Sequence, residues 1–330
     1  MEADLDVLKE CEGVNTQVTC ERLNFPPEPF EVDLDMLNDD KVWEDLELIE
    51  KKSNEPLLFE LKLDILEFRA KSFFKVLIKN REFSTRGLYL TTIIIKFNSA
   101  DYTAWYYRNE CMKSLDMDLR EELDFTRKIT MESIKAFQPW NHRRNICTLA
   151  KSGFNEIEYV KLEISTSPKN QCAWGYLTWL VRKFGVLDLF KELEFVEFLV
   201  SGDVYNNSAW NYKNFIFKYF KDDFDLDFMV KELGKDFQRL LKRTDNEGLC
   251  SYIIDMVQFL EKSYNKCIMT NCECEGPLSI CLVKIIKLQP PSLQLLRLLK
   301  KLKPDEEVLH QMAILDPIRS DFYKISKSLP

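Results

Sequence analysis

The sequence predicts an all-α protein of stacked antiparallel helical hairpins, an α-α solenoid, on three observations. Trp105, Trp140, Trp174 and Trp210 are separated by 35, 34 and 36 residues, a spacing that marks one supersecondary unit copied and stacked. Four residues ahead of the ring stand Asp101, Asn170 and Asn206, and Asn246 stands likewise ahead of Cys250, with Ala136 the exception. An Asx side chain there can accept from the free N–H groups of a helix's first turn, so each unit reads as helix, Asx-led turn, helix. Only 9 glycines occur in 330 residues, which suits long helices better than a sheet with many tight turns.

From the N-terminus, residues 1–60 form an acidic arm punctuated by Pro26, Pro27 and Pro29 and closing on Trp43-Glu44-Asp45-Leu46. This arm reads as irregular chain laid on the solenoid or on a partner. Residues 61–330 hold the repeats. The first hairpin runs from about Ser72 to Lys113, with Leu88 and Leu90 on its leading helix. Its β-branched run Thr91–Ile95 favours strand locally, but the flanks keep helical spacing and the array offers no partner strand, so helix is expected.

The next four hairpins each carry a glutamate eighteen residues before the ring position: Glu122, Glu156, Glu192 and Glu232. Leu123, Ile157, Leu193 and Leu233 follow directly, and a ring recurs two residues on at Phe125, Tyr159 and Phe195. Two residues after the ring position come Tyr107, His142, Tyr176, Tyr212 and Tyr252. The fifth hairpin is degenerate, with Cys250 where tryptophan should be. After about Glu261 the register lapses until the amphipathic stretch Gln311–Leu329, expected to supply capping helices. A ring repeated in every unit reads as a core plug, and His142 as a satisfied core or interface histidine rather than a general base.

Composition bounds the function. The chain is 45% hydrophobic and 30% charged with a net charge of −8, its acidic and basic residues interspersed, so no phosphate-tracking surface for nucleic acid is indicated. No run approaches the ~20 apolar residues of a membrane span, and the acidic first residues do not resemble a secretory signal. A soluble, cytoplasmic protein is expected. The 10 cysteines therefore read as reduced thiols. Their one cluster, Cys267, Cys272 and Cys274, lacks the usual Cys-x-x-Cys knuckle and a clear fourth ligand, so no metal site is assigned. The acidic run Asp222 to Asp227 reads as a helix cap or a solvated surface.

The units Asp101-Tyr-Thr-Ala-Trp105-Tyr-Tyr-Arg108, Phe137-Gln-Pro-Trp140-Asn-His-Arg-Arg144 and Asn206-Asn-Ser-Ala-Trp210-Asn-Tyr-Lys213 resemble the repeats of protein prenyltransferase alpha subunits. Trp43-Glu44-Asp45, the stretch Lys113 to Glu122, and Ile318-Arg319 with Phe322-Tyr323 make the chain similar in particular to the branch shared by protein farnesyltransferase and type I geranylgeranyltransferase. The resemblance covers roughly residues 40 to 330 and is weakest from 250 to 305. It implies a crescent-shaped right-handed superhelix embracing a beta subunit, with farnesyl or geranylgeranyl diphosphate and CaaX-ending proteins as substrates. This chain would bind no cofactor itself; zinc is expected in the beta subunit, with magnesium a further candidate there.

By residue, the resemblance implies a catalytic, diphosphate-contacting role for Lys135, with Asn170, Gln171 and Cys172 also facing the diphosphate. It implies Gln138 and Tyr102 for the substrate peptide. Arg108, Arg143 and Arg144 could be solvated, but arginine at a recurring turn facing an obligate partner commonly makes bidentate pairs, so contacts to the partner are expected. Several positions depart from the pattern. Gln171 and Cys172 stand where the family has tyrosine and histidine, Phe137 replaces a tyrosine, and Leu177 and Ile253 replace basic residues. Two other readings stand beside this one. The first is the alpha subunit of the Rab-directed geranylgeranyltransferase, against which the arm around Trp43 and Gln138 argue. The second is a non-catalytic adaptor of the tetratricopeptide kind, against which the Asx-led turns, with Lys135 and Gln138 in the matching turn, argue.

Overall fold

The structure, a computed structural model, describes residues 35–47, 64–153, 155–264, 296 and 306–315. Every regular element among the described residues is helical, as the spacing predicts. The chain divides into two compact units, the first ending at Asp116 and the second beginning at Met117.

In the first unit the helices are α1 (Asp35–Asn38), α2 (Asp40–Trp43), α3 (Ile65–Asn80), α4 (Thr85–Phe97) and α5 (Tyr102–Leu115). The described part of the arm is thus helical where irregular chain is expected. The reason is apolar burial. Leu37 and Trp43 are buried, the Trp43 ring stacks on Phe73 at 4.7 Å, and its Nε1 donates to Met36 O at 3.0 Å. Arg86 anchors the segment through Val42 O (2.9 Å) and both Asp45 carboxylate oxygens (2.7 Å). The run Thr91–Ile95 lies inside α4 and is buried. Its threonine hydroxyls donate back to Leu88 O, so packing overrides local strand preference.

The second unit contains α6 (Leu119–Glu132), α7 (Phe137–Ala150), α8 (Glu156–Thr166), α9 (Gln171–Phe184), α10 (Leu189–Gly202), α11 (Asn207–Tyr219), a 3-10 turn (Lys221–Asp223), α12 (Leu226–Lys242), α13 (Glu247–Tyr264) and α14 (Glu306–Leu315). Consecutive helices pair as α6–α7, α8–α9, α10–α11 and α12–α13, and the second helices pack in series, α7 on α9, α9 on α11, α11 on α13. Val308 and Met312 of α14 are buried. The remainder of the expected cap, residues 316–329, and the thiol cluster at 267–274 lie outside the described residues.

The repeated residues do what burial demands of them. All four repeat tryptophans and Cys250 are buried. A buried indole N–H needs an acceptor, and three take the carbonyl six residues upstream in the inter-helix turn. Trp105 Nε1 donates to Ser99 O at 2.9 Å, Trp174 to Pro168 O at 2.9 Å and Trp210 to Val204 O at 2.7 Å. In the second unit each ring also packs on the tyrosine of the following hairpin: Trp140 on Tyr176 at 5.4 Å, Trp174 on Tyr212 at 5.3 Å, Trp210 on Tyr252 at 5.4 Å. One residue thus closes its own turn and seats the next hairpin.

Two of the Asx residues work twice. Asn206 Oδ1 accepts from Ser208 N and Ala209 N, while its Nδ2 donates to Pro168 O of the preceding turn at 3.2 Å. Asn246 repeats this, with Oδ1 accepting from Leu249 N and Nδ2 donating to Val204 O at 2.7 Å. Those carbonyls are the ones that hold the indoles. Asparagine combines an acceptor and a donor, whereas aspartate has only acceptors, so Asn206→Asp keeps the cap but sets a buried carboxylate against a carbonyl. We expect N206D to lose about 1–3 kcal/mol in urea unfolding; wild-type stability would mean that the amide donor couples nothing.

Candidate functional site

The turn Ser133–Ala136 leads into α7, and its Lys135 is exposed. This turn departs from its neighbours. Ala136 has no side-chain acceptor and makes no cap, and one of the N–H groups that a cap would serve is missing three residues on. In α5, α9 and α11 the Asx oxygen serves the third helical N–H, of Ala104, Ala173 and Ala209; in α7 that position is Pro139, which has no N–H to cap. Trp140 is the repeat indole whose Nε1 is buried without an acceptor.

Across from this turn lies the start of α9. Asn170 is buried, and its Oδ1 is committed to the cap, accepting from Cys172 N at 3.1 Å and Ala173 N at 3.2 Å. Gln171 is exposed and Cys172 half-buried. The Cys172 Sγ sits 3.9 Å from Lys135 O, so the structure brings the Lys135 turn and the α9 start together. Burial raises the Cys172 thiol pKa, against the lowering influence of Arg144. Gln138, the second residue of α7, is largely buried at 8% exposure beside the half-exposed Phe137. Tyr102 opens α5 in the other compact unit and is 73% exposed.

The arginines expected to face a partner divide. Arg108 and Arg143 are buried within the chain. Arg143 forks onto Glu156 through Nε (2.8 Å) and Nη2 (2.6 Å), and its Nη1 donates to Leu123 O and Thr126 Oγ1. Burial alone would weaken the cation's hold on its proton, but Glu156 outweighs it and the Arg143 pKa rises. Tyr176 OH donates to the same Glu156 at 2.6 Å, and Tyr212 OH donates to Glu192 at 2.8 Å. His142, with Nε2 at 2.8 Å from Glu122, is a core histidine as expected. In three hairpins the glutamate eighteen residues before the ring therefore partners the polar residue two after it, whereas Glu232 meets Lys213 and Lys235 instead. Sequence reading registers both series but not their pairing, although the constant spacing was a usable signal.

The non-basic Leu177 has a local remedy. Lys161, on α8 of the same hairpin, reaches Glu192 at 2.6 Å, while Lys213 bonds Asp236 at 2.5 Å and reaches Glu232 at 3.4 Å. Arg144, by contrast, is half-buried, donates from Nη2 to Gly175 O at 2.8 Å, and pairs with no carboxylate among the described residues.

A cleft of about 310 Å³ lies between α6 and α8, lined in part by Arg120, Asp124, Arg127, Arg143 and Tyr159. Of the contact residues expected from the sequence only Arg143 lines it; none of those expected to touch diphosphate or peptide does. Among the described residues no group of three or more His, Cys, Asp or Glu side chains could hold a metal, and no helix is long and apolar enough to cross a membrane.

The thiols give a direct check of this geometry. Cys172 is half-buried, whereas Cys111, Cys147 and Cys250 are buried. Burial pushes both Cys111 and Cys147 up to about 11. Iodoacetamide mapping by mass spectrometry should find Cys172 modified first of these four, more slowly at pH 7.5 than a free thiol of pKa ~8.5, and faster as pH rises. Early modification of Cys147 in the native protein would contradict the burial.

Comparison with known proteins bears directly on the repeats. The family described as protein prenyltransferase alpha subunit repeat matches residues 85–115, 119–150 and 189–220. The first two matches contain Tyr102, Lys135 and Gln138, and none contains Asn170, Gln171 or Cys172. The chain is 32% identical over 81 residues to the protein farnesyltransferase/geranylgeranyltransferase type-1 subunit alpha of Schizosaccharomyces pombe, covering 24% of this chain and 28% of that protein. It is 28% identical over 150 residues to the protein of the same name from Candida albicans, covering 43% and 49%. The matched stretches thus span at most about half the length of these curated relatives. A solved Candida albicans protein geranylgeranyltransferase-I complexed with GGPP has a chain similar in fold, with a TM-score of 0.73 at 24% identity, over 86% of this chain and 97% of that one. The repeat resemblance read from the sequence is borne out.

Proposed function

We propose that this chain, which carries prenyltransferase alpha-subunit repeats, is the alpha subunit of a heterodimeric CaaX protein prenyltransferase. It would work with a beta subunit to transfer a farnesyl or geranylgeranyl group from its diphosphate to a C-terminal cysteine thiol of substrate proteins. The observation that carries the reading is the hairpin α6–α7, where an exposed Lys135 stands in an uncapped turn against the start of α9, inside a matched repeat. The named relatives, and a fold neighbour solved with an isoprenoid diphosphate, support it.

The chemistry suits these residue types. As the bond between the isoprenoid carbon and the diphosphate oxygen breaks, negative charge builds on the leaving oxygen. A lysine aimed there favours the transition state over the ground state. Lys135 fills that role, with Gln171 and Cys172 at the edge of the same seat and Asn170 holding the α9 end through its cap. A glutamine amide can donate to a carboxylate without adding charge, which fits Gln138 to the peptide's C-terminus. Tyr102, exposed at the head of α5, offers a wall for the peptide's last side chain. Zinc, with magnesium a further candidate, is assigned to the beta subunit, where zinc would hold the acceptor thiol as thiolate.

The Rab-directed enzyme's alpha subunit is the runner-up within the same chemistry, and a non-catalytic adaptor the alternative outside it. Co-expression with farnesyltransferase and type I geranylgeranyltransferase beta subunits should yield a heterodimer that prenylates a CaaX peptide. A stable monomer indifferent to both would favour the adaptor. In the active heterodimer, Lys135→Ala should slow single-turnover transfer by about 10²-fold, the scale of losing one preorganised donor. An unchanged single-turnover rate would remove Lys135 from the reaction.

A further inference from the structure

Arg143 and Arg144 are adjacent on α7 but live in different electrostatic worlds. The first spends all three guanidinium nitrogens on Glu156, Leu123 O and Thr126. The second is half-buried and uses only Nη2, on Gly175 O at 2.8 Å, although a guanidinium has five N–H donors. Its Nε is shielded and without an acceptor, and its flank lies over the Trp179 ring at 5.8 Å. Burial lowers its pKa, and the groups acting against that are Tyr176 and Cys172, not a carboxylate. A cation drawn partly out of water without a counter-ion is costly.

Two features tie this guanidinium to the seat already described. Cys172, one helical turn before the Gly175 carbonyl that Arg144 holds, has its Sγ 3.9 Å from Lys135 O, so the start of α9 meets both Arg144 and the Lys135 turn. Gly175, three residues beyond Cys172, is one helical turn, about 5 Å, further along α9. It is exposed, and a Cβ there would lie 3.7 Å from Arg144 Nη2 with no other atom within 4 Å. Glycine inside a helix costs roughly 0.5–1 kcal/mol relative to alanine, and here it leaves the outer edge of the guanidinium open.

We propose that Arg144 is a second cationic ligand for the anion received by Lys135, a diphosphate, which it grips with its planar fork while Lys135 supplies a point charge. This rests on the reading of Lys135 given above. Arginine matches phosphate oxygens bidentately, and an arriving anion would supply the counter-charge that the chain withholds.

The test uses the full chain purified with its beta subunit and, in parallel, alone, with inorganic pyrophosphate as the probe in titration calorimetry. Arg144→Gln, which can still donate to Gly175 O, should weaken binding roughly 10- to 100-fold, the range for a hydrogen bond to a charged group. Arg144→Lys, which keeps the charge but not the fork, should lose less. Gly175→Gln, at an exposed position, should also weaken binding by screening the guanidinium edge, and it serves if R144Q does not assemble. Unchanged affinity in R144Q, or in G175Q where R144Q cannot be prepared, overturns the proposal. If Lys135→Ala weakens binding while R144Q does not, only the Arg144 assignment fails. If R144Q weakens it and Lys135→Ala does not, Arg144 stands as an anion site and the reading of Lys135 falls. A wild-type protein that binds no pyrophosphate in either preparation overturns both.

Discussion

A tryptophan buried between hairpins must still satisfy its indole N–H, and the arrangement of the turns follows from where that proton goes. Bonding to the carbonyl six residues upstream folds the connecting turn back onto the ring, so burying the plug and shaping the turn are one event. In the α9 and α11 hairpins the next asparagine reaches the same carbonyl. Local turn geometry is thereby coupled to the stacking of neighbours, the nearest-neighbour cohesion on which repeat proteins depend.

The hairpin holding Lys135 departs from this scheme at three points. Its tryptophan N–H has no acceptor, its cap position is alanine, and Pro139 removes one of the N–H groups a cap would serve. Rules obeyed in neighbouring copies and broken together in one are expected where a segment serves something other than stability. The family match over residues 119–150 covers this hairpin. The following turn, with Gln171 and Cys172, keeps the indole bond and the asparagine cap, so the scaffold persists where the candidate donors have changed.

The buried charges tell a related story. Each leading-helix glutamate from Glu156 onward meets a cation, yet the cations come from different places: Arg143 on the preceding hairpin, Lys161 on the preceding leading helix, Lys213 on α11. A carboxylate removed from water needs a partner, but any element able to reach it will serve. Leu177 is therefore tolerated, because Lys161 has taken over. The substitution looked like a loss when the chain was read as a string; in three dimensions the interaction had moved.

By itself the sequence determined the all-helical class, the hairpin period, the plugs and the Asx caps, because helix formation and capping involve residues within a few positions of each other. Lys135, Gln138 and Cys172 became candidates only through the resemblance of these repeats to a known family. The sequence could not determine that residues 35–43 would be helical, since Leu37 and Trp43 gain their burial from α3 and α4, distant in sequence. Nor could it separate Arg143, neutralised in the core, from Arg144, left open. Successive helical residues point about 100° apart, and only the next hairpin decides which direction meets a carboxylate and which meets a bare glycine.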